Sequence, residues 1–233
     1  MVECTAIILS GSGCYLLKGR NGFILIDCGS RNDMDRLMKK LKQNGIKPED
    51  IHYLFLTHHH SDHCGLLNLL TVINPRIKII MSGKCSEYLQ SGKHFSHMDE
   101  RYASQALRII AGTYLKLAKN NSTGFTPYIP QEADIIINED SESILPKLGI
   151  QGSILMTPGH TEDSISLVTG GSAFVGDAAR NLLNFTGAPY EPILLYDREA
   201  CRKSWRKLLS TGAETIYPGH GRPFEAKRLP LEK

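Results

Sequence analysis

The sequence predicts a mixed α/β fold, and three observations carry that expectation. A chain of 233 residues lies within the ~200–250 residues that a single α/β domain commonly reaches. Short apolar, β-rich runs bounded by Gly, Pro or Asn alternate with stretches of helical period. Several of those runs stop abruptly at a polar loop that contains His or Asp, the arrangement in which a rigid sheet offers side chains at its edge.

Taken in order, Cys4–Ser10, Cys14–Lys18 and Gly22–Asp27 read as an antiparallel opening meander. Asn32 or Asp33 can cap a helix whose apolar residues Met34, Leu37, Met38 and Leu41 share one face, with Gly45 placed to end it. Ile51–Leu56 is the next strand, followed by a helical Leu66–Ile73, a strand at Arg76–Ser82 and a short helix at Cys85–Gln90. The spacing of Ala103, Leu107, Ile110, Tyr114 and Leu117 predicts a longer amphipathic helix over 97–119, and Asn120–Gln131 reads as loop. Asp134–Asn138, Gly152–Thr157, Ser164–Thr169 and Ser172–Gly176 read as strands, the last two joined by a Gly170-Gly171 hairpin. Asp197 can cap a helix that runs to Leu209 and ends at Gly212, and a strand at Glu214–Tyr217 leads into Pro-Gly-His-Gly. No linker or repeat divides the chain, so residues 1–233 are expected to form one domain, with a helical insertion or lid at about 84–131.

Composition excludes several classes. With 27 Lys and Arg against 24 Asp and Glu, the net charge is too small to mark a nucleic-acid or membrane-surface protein. No apolar run reaches the ~18 residues of a spanning helix. The opening residues lack the basic segment and long apolar stretch of a secretory signal. Six cysteines, none in CxxC spacing, fit reduced thiols and a cytoplasmic location.

Chemistry concentrates in Thr-His-His-His-Ser-Asp-His-Cys-Gly at 57–65, where His58, His60, Asp62 and His63 follow a buried strand in the pattern HxHxDH. His160, Asp177 and His220 each lie just beyond another apolar strand and each follow a glycine, which permits a sharp exit from the strand and close backbone approach. The seven groups suit two divalent cations. Imidazole and carboxylate without thiolate favour zinc, with manganese, iron or cobalt as alternatives. His59 is expected to be structural or exposed, and Cys28 and Cys64 to be small buried fillers. Lys84, Lys93, His94, His97 and Arg101 in the expected lid read equally as substrate grips or as a solvated face.

The ordered set of Asp27, HxHxDH at 58–63, His160, Asp177 and His220 resembles the metallo-β-lactamase-fold hydrolases, from Asp27 to His220. The resemblance implies a four-layered αββα sandwich with its metals at one edge. It implies one metal on His58, His60 and His160, a second on Asp62, His63 and His220, and Asp177 bridging. Asp27 would support the ligand loops through hydrogen bonds. Only 13 residues follow His220, which disfavours the helical substrate domain of glyoxalase II-like members. Arg180 stands where acyl-homoserine lactonases place a Tyr. Arg180 and Tyr190 are the expected substrate contacts, and Phe185 is a further pocket candidate.

The leading expectation is a dinuclear zinc hydrolase of a small ester, thioester, lactone or amide, with a metal-activated water attacking and Asp62 or a bound water handling the proton. Asp62 and Asp177 are the expected catalytic carboxylates. A phosphodiesterase using the same metal pair, a mononuclear iron oxygenase resembling the persulfide dioxygenases, and a non-catalytic metal-binding sensor are the alternatives. The expected partner is a small molecule, with neither nucleic acid nor membrane; oligomeric state is left open.

Overall fold

The computed structural model describes residues 3–92, 101–118 and 125–231, side chains of 114–118 excepted. β1 (Cys4–Ile8), β2 (Gly13–Lys18) and β3 (Phe23–Ile26) form the antiparallel meander. Helix α1 (Met34–Gln43) returns the chain to β4 (Ile51–Phe55), parallel to β3. Two short helices, α2 (Ser61–Cys64) and α3 (Leu67–Ile73), precede β5 (Lys78–Ser82), parallel to β4. After α4 (Gly83–Ser91), β6 (Arg101–Tyr102) and α5 (Gln105–Ala118), β7 (Ile135–Ile137) completes a six-stranded sheet in the order β1-β2-β3-β4-β5-β7.

The second half follows α6 (Ile144–Lys147) with β8 (Ser153–Met156), β9 (Ile165–Thr169) and β10 (Ser172–Gly176). Then come β11 (Leu194–Leu195), α7 (Arg198–Ser210), β12 (Thr215–Pro218) and β13 (Phe224–Glu225). The second sheet runs β13-β12-β10-β9-β8, and β6 pairs separately with β11.

Strand alternation makes the layers. Tyr15, Leu17, Ile24, Ile26, Phe55 and Ile80 of the first sheet pack with Ile154, Ile165, Leu167 and Phe174 of the second in one inter-sheet core. Their neighbours point the other way: Leu16, Leu25, Leu54 and Met81 meet Leu37, Leu41, Leu67, Leu70 and Leu89 of the helices on the first outer face. Val168, Ala173, Val175 and Ile216 meet Trp205 and Leu208 of α7 on the other. Period-two alternation with both faces apolar demands this double covering, and the result is the expected αββα sandwich.

Several local expectations change. The helix expected over 97–119 starts at Gln105 within the described residues. Ser104 caps it, its Oγ accepting from Leu107 N at 3.2 Å, and residues 101–102 are strand because they pair with β11. Asp33 sits at the start of α1 without capping it; its carboxylate is occupied by Ser10 and by Ser30 N instead. Cys85, Leu89 and Tyr128 of the stretch expected as an insertion are buried in the first outer core. Lys93, His94 and His97 lie outside the described residues, as do the side chains of Tyr114 and Leu117. The Gly170-Gly171 hairpin is present, both residues at positive φ (52° and 78°) as a tight primed turn requires. No helix among the described residues is long and apolar enough to cross a membrane.

Asp197 does cap α7, accepting from Glu199 N at 2.8 Å and Ala200 N at 3.0 Å. Asp197→Ala is expected to cost about 1 kcal/mol, read as a lower denaturant midpoint with an unchanged slope.

Candidate metal centre

The C-terminal ends of β3, β4, β8, β10 and β12 gather at one edge of the sandwich, because β3 and β4 are parallel, β10 and β12 are parallel, and β9 runs against both β8 and β10. Backbone bonds across the sheets fix that edge: Ile165 N donates to Thr57 O at 2.8 Å, and Gly13 N to Gly219 O at 2.7 Å. All seven side chains expected from the sequence are brought together there. Their ligand atoms form three trios, each within 4.8 Å: His58, His60 and His160; His58, His63 and Asp177; Asp62, His63 and His220.

Asp177 stands between the outer trios. Its Oδ1 is 3.3 Å from His63 Nε2, and its Oδ2 is 3.3 Å from His220 Nε2 and 3.6 Å from His160 Nε2. Asp62 Oδ2 lies 3.2 Å from His220 Nε2 and 3.7 Å from His63 Nε2. His60 Nδ1 faces His160 Nε2 at 3.0 Å. The Asp62 side chain is 37% exposed against 14% for Asp177 and His220, so the cluster opens to solvent at Asp62.

The imidazoles are aimed from behind. Asp27, 1% exposed, accepts from Thr57 N, from Thr57 Oγ1 and from His63 Nδ1, each at 2.8 Å. The Thr57 hydroxyl proton is thereby committed, so its oxygen accepts from His58 Nδ1 at 3.0 Å and leaves His58 Nε2 facing inward. His160 Nδ1 donates to Leu194 O and His220 Nδ1 to Gly11 O, both at 2.8 Å. Ser12 Oγ donates to Asp62 O at 2.6 Å.

Two glycines make room for this. At Gly176 (φ 51°) a Cβ would collide with the Thr57 side chain, and at Gly219 it would stand 2.5 Å from His63 Cε1 and 2.7 Å from Asp177 Oδ1. These glycines admit the close approach of the Thr57, His63 and Asp177 side chains.

His59 turns away and is structural: its N and Nδ1 both donate to the Asp163 carboxylate at 2.9 Å. Cys64 and Cys28 are buried outside the trios, donating to the His59 and His63 carbonyls at 3.1 and 3.3 Å. Burial raises both thiol pKa values above the ordinary range.

Arg180 is enclosed and Tyr190 half-buried. Arg180 is 1% exposed and its Nη2 donates to Ala188 O at 3.0 Å. Tyr190 stacks on Phe224 at 4.5 Å, drawn inward by the second outer core. Lys84 pairs at the surface with Glu87 and Glu162. Sequence reasoning missed Thr57, Asp163, Ser12 and the Gly11 and Leu194 carbonyls; only Thr57 and Asp163 carried a signal, being polar residues one before His58 and three after His160.

His58 Nε2, His63 Nε2 and Asp177 Oδ1 are buried without a hydrogen-bond partner. Buried polar atoms of this kind are costly unless something pairs with them. Five imidazoles and two carboxylates are the donor set that borderline divalent cations take. The residues therefore fit a metal.

Without a cation the cluster is held by protons. Burial opposes charge on His63, but Asp177, Asp62 and Asp27 outweigh it and raise its pKa well above the ordinary value; for His220, burial is outweighed chiefly by Asp177 and the pKa is pushed up to about 10. Burial acts to raise Asp62 and Asp177, yet His63 and His220 hold both below the carboxylate range. Burial and the neighbouring imidazoles keep His58 neutral. The carboxylates' stabilising effect is present above their ordinary value of 3.8 and is lost as pH falls through their depressed pKa values. The imidazolium part is complete below 6.5 and fades as pH rises through about 10. A cation must displace these protons. Zinc loading at pH ~7 is therefore expected to release about two protons, measured as buffer-dependent heats in calorimetry, and the zinc-induced rise in melting temperature is expected to grow from pH ~6 to ~8. Heats independent of the buffer would count against these pairs.

Residues 9–220 match the family model described as the metallo-beta-lactamase superfamily. The chain is 27% identical over 238 residues to the probable metallo-hydrolase YqjP of Bacillus subtilis, covering 94% of this chain and 70% of that protein. It is 29% identical over 212 residues to the probable metallo-hydrolase MJ0888 of Methanocaldococcus jannaschii, covering 90% and 87%. Among solved structures, the archaeal superfamily protein ST1585 from Sulfolobus tokodaii shares the fold with a TM-score of 0.64 at 20% identity, over 96% of this chain and 82% of that one. With the family model spanning every residue of the cluster, the chain belongs to the metallo-β-lactamase superfamily.

Proposed function

We propose that this protein is a dinuclear zinc hydrolase of a small ester, thioester, lactone or amide. The observation that carries the reading is the convergence of seven ligand-type side chains with His58 Nε2, His63 Nε2 and Asp177 Oδ1 buried and unbonded at its centre. In this reading His58, His60 and His160 hold one cation, Asp62, His63 and His220 the other, and Asp177 serves both. Two such cations supply Lewis acidity and an activated water at neutral pH.

The chain's own groups supply the rest. Asp27 fixes the ring orientation of His63 directly and of His58 through Thr57, so two ligand nitrogens stay aligned without reorganisation. Asp62 is the carboxylate most open to solvent, and its Oδ2, beside His220, can take a proton from the attacking water and return it to the leaving group. The Thr57 and Asp163 clamps keep HxHxDH from rearranging as substrate enters.

Asp177→Ala is expected to reduce zinc from two ions per chain to at most one and to lower turnover of p-nitrophenyl acetate by at least ~10²-fold, followed by elemental analysis and kinetics. Retention of both ions would remove Asp177 from its shared role. Cys64→Ser is expected to keep the zinc content, since the thiol only meets the His59 carbonyl; its loss would make the thiol a ligand. One iron per chain and no ester turnover would favour an oxygenase.

A further inference from the structure

The edge of the sandwich opposite the metal centre holds positive charge that the metal centre does not use. β3 and β4 begin at that edge, at Phe23 and Ile51, and lead at their other ends to Asp27 and the HxHxDH loop. Between their first residues, the turn at Gly19–Gly22 and the end of α6 lies a small cleft whose lining includes Arg20, His52, Tyr53 and Lys147. Its free space is that of roughly three water molecules. A wider hollow shares His52 and Tyr53 with it and extends to Arg76 and Lys78.

Close backbone approach builds the cleft. Gly19 N donates to Gly22 O at 2.8 Å and Arg20 N to Leu148 O at 3.1 Å, which ties the turn to the end of α6. A Cβ at Gly149 would stand 2.5 Å from Arg20 Cβ, and one at Gly22 2.5 Å from Asp50 O. The pinned backbone keeps Arg20 and Lys147 on one small opening, although like charges repel.

Nothing in the surroundings neutralises them. Several exposed cations elsewhere are matched by acids: Lys84 by Glu87, Arg198 by Glu191, Lys207 by Asp140 and Arg228 by Glu225. Among the described residues Arg20, Arg76, Lys78 and Lys147 form no ion pair. Glu49 lines the wider hollow as a single acid beside Arg76 and Lys78, and the Asp50 carboxylate already accepts from Lys47 N at 2.8 Å.

We propose that this edge binds a small phosphorylated molecule, its phosphate held by Arg20, Lys147 and the His52 imidazole and its remainder lying along Tyr53 toward Arg76 and Lys78. Size and charge select the group. The cleft has room for one compact anion, and a phosphate offers acceptors to a guanidinium fork and an ammonium at once. The site lies at the opposite strand ends from the metal ligands, so it stands independently of the hydrolase reading.

The test titrates ribose 5-phosphate into zinc-loaded protein by calorimetry, with ribose as the control that lacks the phosphate. The ester is expected to bind, ribose to show no heat of binding, and the affinity to fall with added salt. Arg20→Ala/Lys147→Ala is expected to weaken binding at least about tenfold, and Arg20→Lys, which keeps the charge and loses the fork, by about threefold. Both side chains are exposed, so melting temperature and zinc content are expected to hold in each variant. Absence of binding overturns the site. Binding that is unchanged in the double variant does so too, since it would place the phosphate on the metals. An oligonucleotide whose affinity grows with its length through Arg20 and Lys147 would assign the edge to nucleic acid and reject the small ligand.

Discussion

The arrangement depends on one buried carboxylate. Asp27 leaves β3 in a left-handed conformation (φ 55°) and is almost fully enclosed, a position that would be costly for a charge with unmet acceptors. Its bonds from Thr57 N, Thr57 Oγ1 and His63 Nδ1 meet that demand and also choose the tautomers of two imidazoles. His63 presents Nε2 because Nδ1 is used, and His58 presents Nε2 because the Thr57 oxygen, its proton already given to Asp27, can only accept. The carboxylate thus transmits the position of β3 to groups on the loop after β4.

A second clamp acts from the opposite sheet. Asp163, fully buried in the turn before β9, grips both N and Nδ1 of His59. Burial acts to raise its pKa, yet the hydrogen bonds from His59 hold it below the ordinary carboxylate value. Three consecutive histidines would otherwise compete for the same space. With His59 tied back, His58 and His60 point into the cluster, and Ser82 Oγ, donating to Asp163 O at 2.7 Å, secures the clamp to the end of β5. The first sheet supplies the HxHxDH loop, and the second supplies both its clamp and the remaining candidate ligands.

The two halves of the site differ in openness. His58, His63 and His160 are buried, whereas the Asp62 side chain is 37% exposed.

Strands with both faces apolar, the helical period of α1 and α7, the Gly170-Gly171 turn and all seven members of the cluster were legible in the sequence, because alternation, period and ligand spacing are local properties of a chain. The two-residue pairing of β6 with β11, the tying of Asp33 to Ser10, the inward turn of Tyr190 and the enclosure of Arg180 were not. The first three depend on a partner far away in sequence: Leu194 for Tyr102, Ser10 for Asp33, Phe224 for Tyr190. The sequence by itself determined which groups exist to hold a cation and that they lie at strand ends. Only the tertiary structure decided which nitrogen of each ring faces inward and which nearby side chains are withdrawn, since orientation is set by hydrogen bonds from Asp27, Asp163, Gly11 and Leu194, across sheets that local pattern cannot align.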